Sequence, residues 1–153
     1  MTPDDYARAR RALMRRDPVL GAVIKRIGPC DMGGRQRDDH LTALVRSITS
    51  QQLSTKAAAT IFGRILDLFP GRRIPGADAL GALPDEALRG AGLSGQKVRY
   101  VRDLCAHIGD GRLELDRLAR LDDEDVIVEL TAVKGFGRWT AEMFLMFRLR
   151  RPD

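Results

Sequence analysis

Leu130-Thr131-Ala132-Val133-Lys134-Gly135-Phe136-Gly137-Arg138-Trp139-Thr140-Ala141 runs out of one apolar-periodic segment, turns on Gly-Phe-Gly and enters a second segment at once. Two glycines one residue apart let a backbone reverse through positive φ and leave no side chain between the turn and a ligand. The N–H groups around Gly135 and Gly137 are then expected to be unpaired at a helix N-terminus, where the helix dipole also favours an anion. That geometry binds a phosphate oxygen. Lys134 and Arg138 flank the turn and add long-range attraction to a polyanion. Gly-x-Gly alone serves equally well as a plain interhelical turn.

Outward from this hairpin the apolar spacing stays helical. Leu41, Leu44, Val45 and Ile48 follow i, i+3, i+4, i+7, and Ile61, Ile65, Leu66, Leu68 and Phe69 form another stripe. No segment alternates as a strand flanked by hairpin turns, so the fold class is all-α, a compact helical array. The spacing predicts helices at 3–16, 18–27, 38–49, 54–69, 77–82, 84–91, 94–109, 114–120, 122–133 and 137–149. Asp17-Pro18 reads as a cap with proline at the first helical position, and Asp122 with Asp125 as a shortened capping box. Gly28 to Gly34 is the best linker candidate, with Pro70 to Gly76 next. This divides the chain into an N-terminal helical lobe, 1–37, and a helical domain, 38–153, that holds the hairpin at 122–149.

The composition excludes several classes. With 153 residues, 44% hydrophobic and 31% charged, the chain buries a core in one compact domain or two small lobes. No apolar run approaches the roughly 18 residues of a membrane span, and Met1 to Asp5 is too acidic for a signal peptide. Two cysteines, Cys30 and Cys105, cannot build a four-thiolate metal or iron–sulfur site. A reducing cytoplasm is the expected compartment. The net charge of +5 is uneven: residues 1–37 carry nine bases and four acids, 38–133 twelve and fifteen, 134–153 five and two. Basic ends around an acidic middle suggest a locally bound nucleic acid, although 22 arginines among 26 bases also fit a genome-wide preference for arginine.

Taken whole, 130–141 resembles the helix-hairpin-helix of the base-excision DNA glycosylases, most closely the DNA-3-methyladenine glycosylase II branch. Arg46-Ser47-Ile48-Thr49-Ser50-Gln51-Gln52-Leu53-Ser54-Thr55-Lys56-Ala57-Ala58 is similar to another segment of that branch, and Gly92 through Tyr100 to its later interhelical turn. The resemblance covers about residues 38–153. It implies a monomeric DNA repair enzyme that binds damaged duplex DNA and hydrolyses the N-glycosidic bond of an alkylated purine. The hairpin holds the backbone without reading sequence, and the damaged nucleotide leaves the stack. Lys134, Gly135, Phe136, Gly137, Arg138 and Thr140 fall in its DNA-binding hairpin. Gln51, Gln52 and Leu53 fall in its wedge region, with Gln52 or Leu53 favoured; Leu53 as a hydrophobic staple before a Ser54 cap explains the same residues.

Trp139 stands where the strand-nicking members carry a lysine nucleophile. A tryptophan forms no Schiff base, so the resemblance implies a monofunctional enzyme with Trp139 in the base pocket; packing of the second hairpin helix is the plainer role. Met143, Phe144, Met146 and Phe147 read as core, His40 and His107 as surface or cap residues. By resemblance, the backbone carbonyls of Thr131, Val133 and Phe136 hold a monovalent cation, and no iron–sulfur cluster or organic cofactor is implied. The family also uses an aspartate past a short loop after the hairpin, stabilising an oxocarbenium-like sugar. Asp153, fourteen residues after Trp139, comes too early, so the catalytic acid is expected beyond residue 153 and the chain reads as truncated. Tyr6, Leu13, Leu20, Val23 and Ile24 are then expected to be partly exposed. The alternative is a non-catalytic helix-hairpin-helix DNA-binding module or an inactive glycosylase fragment.

Overall fold

A computed structural model describes residues 2–30 and 38–151, and among these every regular element is helical. The helices are α1 (Pro3–Arg16), α2 (Pro18–Ile27), α3 (His40–Ser50), α4 (Thr55–Asp67), α5 (Ala77–Gly81), α6 (Asp85–Gly90), α7 (Gly95–Gly109), α8 (Asp123–Thr131) and α9 (Arg138–Phe147). Short polar side chains set most starts, because each accepts an N–H that the first turn leaves unpaired. Asp17 accepts from Leu20, Asp39 from Thr42, Ser54 from Ala57 and Ser94 from Lys97. Thr2 and Asp5 form a reciprocal capping box on α1. Asp122 occupies the N-cap position of α8 but makes no side-chain cap bond, so the expected box with Asp125 is absent.

The chain divides into two compact units, residues 38–143 and residues 1–37 with 144–153. In the larger unit α7 packs against α3, α5 and α6. Leu44, Val45 and Ile48 of α3, Ile65 of α4, Leu80, Leu88, and Val101 and Leu104 of α7 are fully buried. Burial of a side chain of this size contributes about 1.5–3 kcal/mol relative to exposure. Pro70–Arg72 is a 3₁₀ turn, followed by Ile74 at 1% exposure, so this expected linker is anchored in the core. The helix expected at 114–120 is a turn leading into a 3₁₀ turn at Leu118–Arg120. Arg117 N–H bonds the Glu114 carbonyl and Arg120 N–H the Arg117 carbonyl, both three residues back. The tighter winding buries Leu118 completely, with Leu113 also buried just upstream.

In the smaller unit α1 packs on α2, and Gly21 permits the close crossing, since a Cβ there would lie 3.0 Å from the Met14 carbonyl oxygen. Leu13 and Leu20 are exposed, while Tyr6, Val23 and Ile24 are half-buried. Gly28, at φ 96°, ends α2; of the first linker candidate, Asp31, Met32, Gly33 and Gly34 lie outside the described residues, as does Asp153. Helix α9 stops at Phe147, where Arg150 at φ 56° brings the Arg151 N–H onto the Leu145 carbonyl. Its inward stripe is Ala141, Phe144 and Leu145. Met143 and Met146 are only half-buried and Phe147 is 47% exposed, so three of the four expected core residues of α9 lie off the buried stripe. The spacing i, i+3, i+4 explains the outcome, because 143 and 147 sit off the face defined by 141, 144 and 145.

Candidate nucleic-acid interface

Apolar side chains anchor the turn between α8 and α9 on both sides: Val133 and Phe136 are buried, and the Phe136 N–H bonds the Val133 carbonyl at 3.1 Å. The two glycines between and after them play different parts. Gly135 has φ 88°, and a Cβ built there would lie within 2.6 Å of three carbons of the Tyr100 ring. No L side chain fits. Gly137 lacks positive φ, and a Cβ there would meet nothing within 4 Å. The expectation that both reverse the chain through positive φ therefore holds for Gly135 alone. Gly137 leaves an open approach at the start of α9, where Ala141 N–H closes the first helical bond on its carbonyl.

Among the described residues, the amides of Gly135 and Gly137 donate to no protein acceptor, whereas the Lys134 amide donates to Asp103 Oδ2 at 2.8 Å. The carbonyls of Thr131 and Phe136 accept no backbone bond outside the helices, and that of Val133 accepts one. Thr131 Oγ1 is turned back onto the Ile127 carbonyl, 2.7 Å away.

The turn between α3 and α4 is tied to the hairpin. Gln51 Nε2 donates to the Gly135 carbonyl at 2.8 Å, across 84 residues of sequence. Lys97 Nζ donates to the carbonyls of Thr49 and Gln51 at 2.7 and 2.8 Å, closing the end of α3, and its burial lowers its pKa below the usual lysine value. With Gln51 committed, Gln52 and Leu53 are exposed side chains of this turn, as is the capping Ser54. Gln52 sits at φ 56°, a conformation that non-glycine residues adopt at a cost of about 1–3 kcal/mol. Leu53 is 40% exposed and Ser54 caps α4.

The flanking cations are engaged. Lys134 Nζ lies 3.2 Å from Asp103 Oδ1. Arg138 reaches Glu124 at 2.7 Å and Glu142 at 2.9 Å, and the guanidinium holds the Glu124 carboxyl below its ordinary value. Beside the turn, two cations thus meet three carboxylates. Thr140 is half-buried and Trp139 is 70% exposed, so packing within α9 does not account for the indole. An open cleft of about 490 Å³ adjoins the hairpin, lined by Arg99, Tyr100, Arg102, Asp103, Ala106 and Lys134.

Of the two roles expected for His107, surface or cap, the surface one does not hold. The residue is buried, with Nδ1 2.8 Å from the Asp103 carbonyl and Nε2 2.9 Å from Arg112 Nη1. His40 is half-buried in the first turn of α3. Cys30 and Cys105 are both free thiols, and burial pushes the Cys105 thiol up to about 11. Asp103, Tyr100 and Lys97 were not singled out as site residues from sequence, because their partners lie 31 to 48 residues away in the chain.

Residues 45–143 match the family described as HhH-GPD superfamily base excision DNA repair protein. A Schizosaccharomyces pombe protein named DNA-3-methyladenine glycosylase 1 is 35% identical over 111 residues, 72% of this chain and 49% of its own length. The Saccharomyces cerevisiae DNA-3-methyladenine glycosylase is 33% identical over 123 residues, 76% of this chain and 42% of the relative. This chain thus spans about half the length of these curated relatives or less. Among solved structures, a DNA-3-methyladenine glycosidase from Bacillus halodurans superposes with a TM-score of 0.77 at 40% identity, covering 92% of this chain and 64% of that one. Among the described residues no helix is long and apolar enough to cross a membrane.

Proposed function

The chain belongs to the HhH-GPD superfamily of base excision DNA repair proteins, and from that premise we propose that it binds damaged duplex DNA as a monomer and serves hydrolysis of the N-glycosidic bond of an alkylated purine. The observation that carries the reading is the hairpin itself. Gly135 is pinned by Tyr100 and Gln51, and the amides of Gly135 and Gly137 stay available beside an open face. A phosphate oxygen at that face receives hydrogen bonds at the N-terminus of α9, which suits recognition of backbone without sequence. Relatives named for 3-methyladenine support the alkylated-purine class.

In this reading Gln52 fills the space vacated by the extruded nucleotide. Its left-handed backbone favours it over Leu53, since strained conformations persist where function needs them. Trp139 offers a ring face to the extruded base. A cationic methylated purine gains about 0.5–2 kcal/mol from such a face. With tryptophan at this position there is no amine to form a Schiff base, so the product is an abasic site and the strand stays intact. The carbonyls of Thr131, Val133 and Phe136 suit a hard monovalent cation beside the bound phosphate. Two of the three accept no backbone bond outside the helices.

The remaining requirement is a carboxylate at the departing sugar. Asp103, Glu124 and Glu142, the acids bonded to the hairpin and the start of α9, are each engaged by Lys134 or Arg138. That engagement favours a second reading for residues 38–151, a binding module that uses the same hairpin without chemistry. The test is base release from duplex DNA carrying 3-methyladenine or 7-methylguanine, scored as alkali-labile sites, for this chain and for a version continued along its reading frame. Release with no strand nicking before alkali supports the monofunctional glycosylase. Salt-sensitive duplex binding with no release by either form leaves the binding module, and no binding by either overturns both readings.

A further inference from the structure

The hairpin is braced by a carboxylate from a distant helix. Asp103 on α7 accepts the Lys134 N–H through Oδ2 at 2.8 Å and faces the Lys134 ammonium through Oδ1 at 3.2 Å. Its side chain is only 16% exposed. Behind it lies His107, one helical turn on, whose Nδ1 is 2.8 Å from the Asp103 carbonyl and 3.4 Å from Oδ2. Arg112 Nη1 closes on the other ring nitrogen at 2.9 Å. A guanidinium only donates, so His107 Nε2 accepts and Nδ1 carries the ring proton towards Asp103. Arg112 is held in turn by Asp110 through Nε and Nη2. A continuous chain of polar contacts thus runs Asp110, Arg112, His107, Asp103 and ends on the Lys134 amide.

Charge alone argues against an acid in this place, because a carboxylate beside a phosphate-binding turn repels the polyanion. Geometry supplies the compensating reason. Burial disfavours the charged form of Asp103, yet the Lys134 amide and ammonium outweigh it and hold the carboxyl below its ordinary range. A half-buried carboxylate so engaged fixes the backbone from which Gly135 projects.

We propose that Asp103 is a positioning residue of the hairpin: backed by His107 and Arg112, it takes up the amide and the ammonium of Lys134, so that the turn is held with the Gly135 and Gly137 amides as the donors left for a DNA phosphate. The proposal rests on the hairpin being the DNA-backbone interface. Lys134 then belongs to the brace, and its charge reaches DNA only by leaving Asp103.

Comparison of Asp103→Asn with Asp103→Ala tests it, because both remove the same charge and only asparagine keeps an acceptor for the Lys134 N–H. Affinity is read on a duplex carrying a tetrahydrofuran abasic-site analogue at low and at physiological salt. Amide exchange of Lys134 and Gly135 is read in the free protein. The expected result is that D103N protects the Lys134 amide and binds as tightly as the parent chain or several-fold tighter. D103A exposes that amide and loses about tenfold in affinity, the scale of one charge-assisted hydrogen bond. Equal tightening by both variants, or an unchanged Lys134 amide in D103A, overturns the proposal. Should D103A fail to fold, D103N decides alone: Lys134 protection lost with undiminished affinity, or kept with weaker affinity, refutes the role. If the parent chain does not bind the duplex, the interface reading fails, while Lys134 exchange still decides what Asp103 does.

Discussion

Gly135 and Gly137 look equivalent in sequence and differ in the reason each must be glycine. At Gly135 a methyl group meets the Tyr100 ring and a left-handed backbone at once. Gly135→Ala is therefore expected to destabilise the fold by about 2–4 kcal/mol, combining overpacking with backbone strain. Gly137→Ala meets open space at an ordinary φ, and its effect on stability is expected to stay within about 1 kcal/mol. Urea melts of the two variants separate these effects, and an equal loss of stability at both would refute the distinction. If Gly137→Ala keeps its stability and loses DNA affinity, the methyl group blocks the ligand and not the fold. The sequence motif announced both glycines and Trp139, but not Tyr100, Asp103 or Lys97. Lys97 and Tyr100 lie in the Gly92–Tyr100 stretch, whose resemblance gives them no individual role, and all three meet the hairpin or the end of α3 only after distant segments come together.

Among the elements, caps and apolar periodicity were the most legible, because they act within a few residues. Asp17, Asp39, Ser54 and Ser94 each cap the helix that follows. The segment 114–120, helical by its spacing, winds instead into a turn and a 3₁₀ turn whose winding serves the burial of a single residue, Leu118. On α9, the run Met143 to Phe147 is apolar throughout, and only the neighbours of each residue decide which side faces in. The charge on the same helix was overestimated for a similar reason. Arg138 joins Glu124 of α8 and Glu142 of its own helix, partners a linear sum of charges does not reveal. Glu124→Gln with Glu142→Gln is expected to release Arg138 towards phosphate. DNA affinity then rises at low salt, and the slope of log K against log salt steepens by about 1. A slope equal to that of the parent chain would mean that Arg138 makes no phosphate contact.

At the scale of the molecule the two units are built unequally. Among the described residues, 38–143 hold nearly all of the buried apolar side chains, whereas in α1 and α2 only Gly21 is buried, and Leu13, Val19, Leu20 and Ile27 are exposed. Local opening costs less where few apolar contacts are lost. The amides of α1 and α2 are expected to exchange with solvent through low-energy openings, while those of α3 and α7 wait for global unfolding. Hydrogen exchange followed by mass spectrometry checks this, and equal protection of α1 and α3 would refute it.

The all-α class, most helix starts and the hairpin with its glycines and tryptophan were present in the linear order of residues. Each depends on spacing, capping or turn chemistry that acts over less than two turns of helix. The brace on the hairpin came only from tertiary structure: Gln51 on the Gly135 carbonyl, Tyr100 against Gly135 and Asp103 on the Lys134 amide. So did Asp103 as the partner of Lys134 and Glu124 as a partner of Arg138. These are single hydrogen bonds, ring contacts and ion pairs between residues far apart in the chain. Their strength depends on distances of a few ångströms, which are set only when the apolar faces of the helices pack.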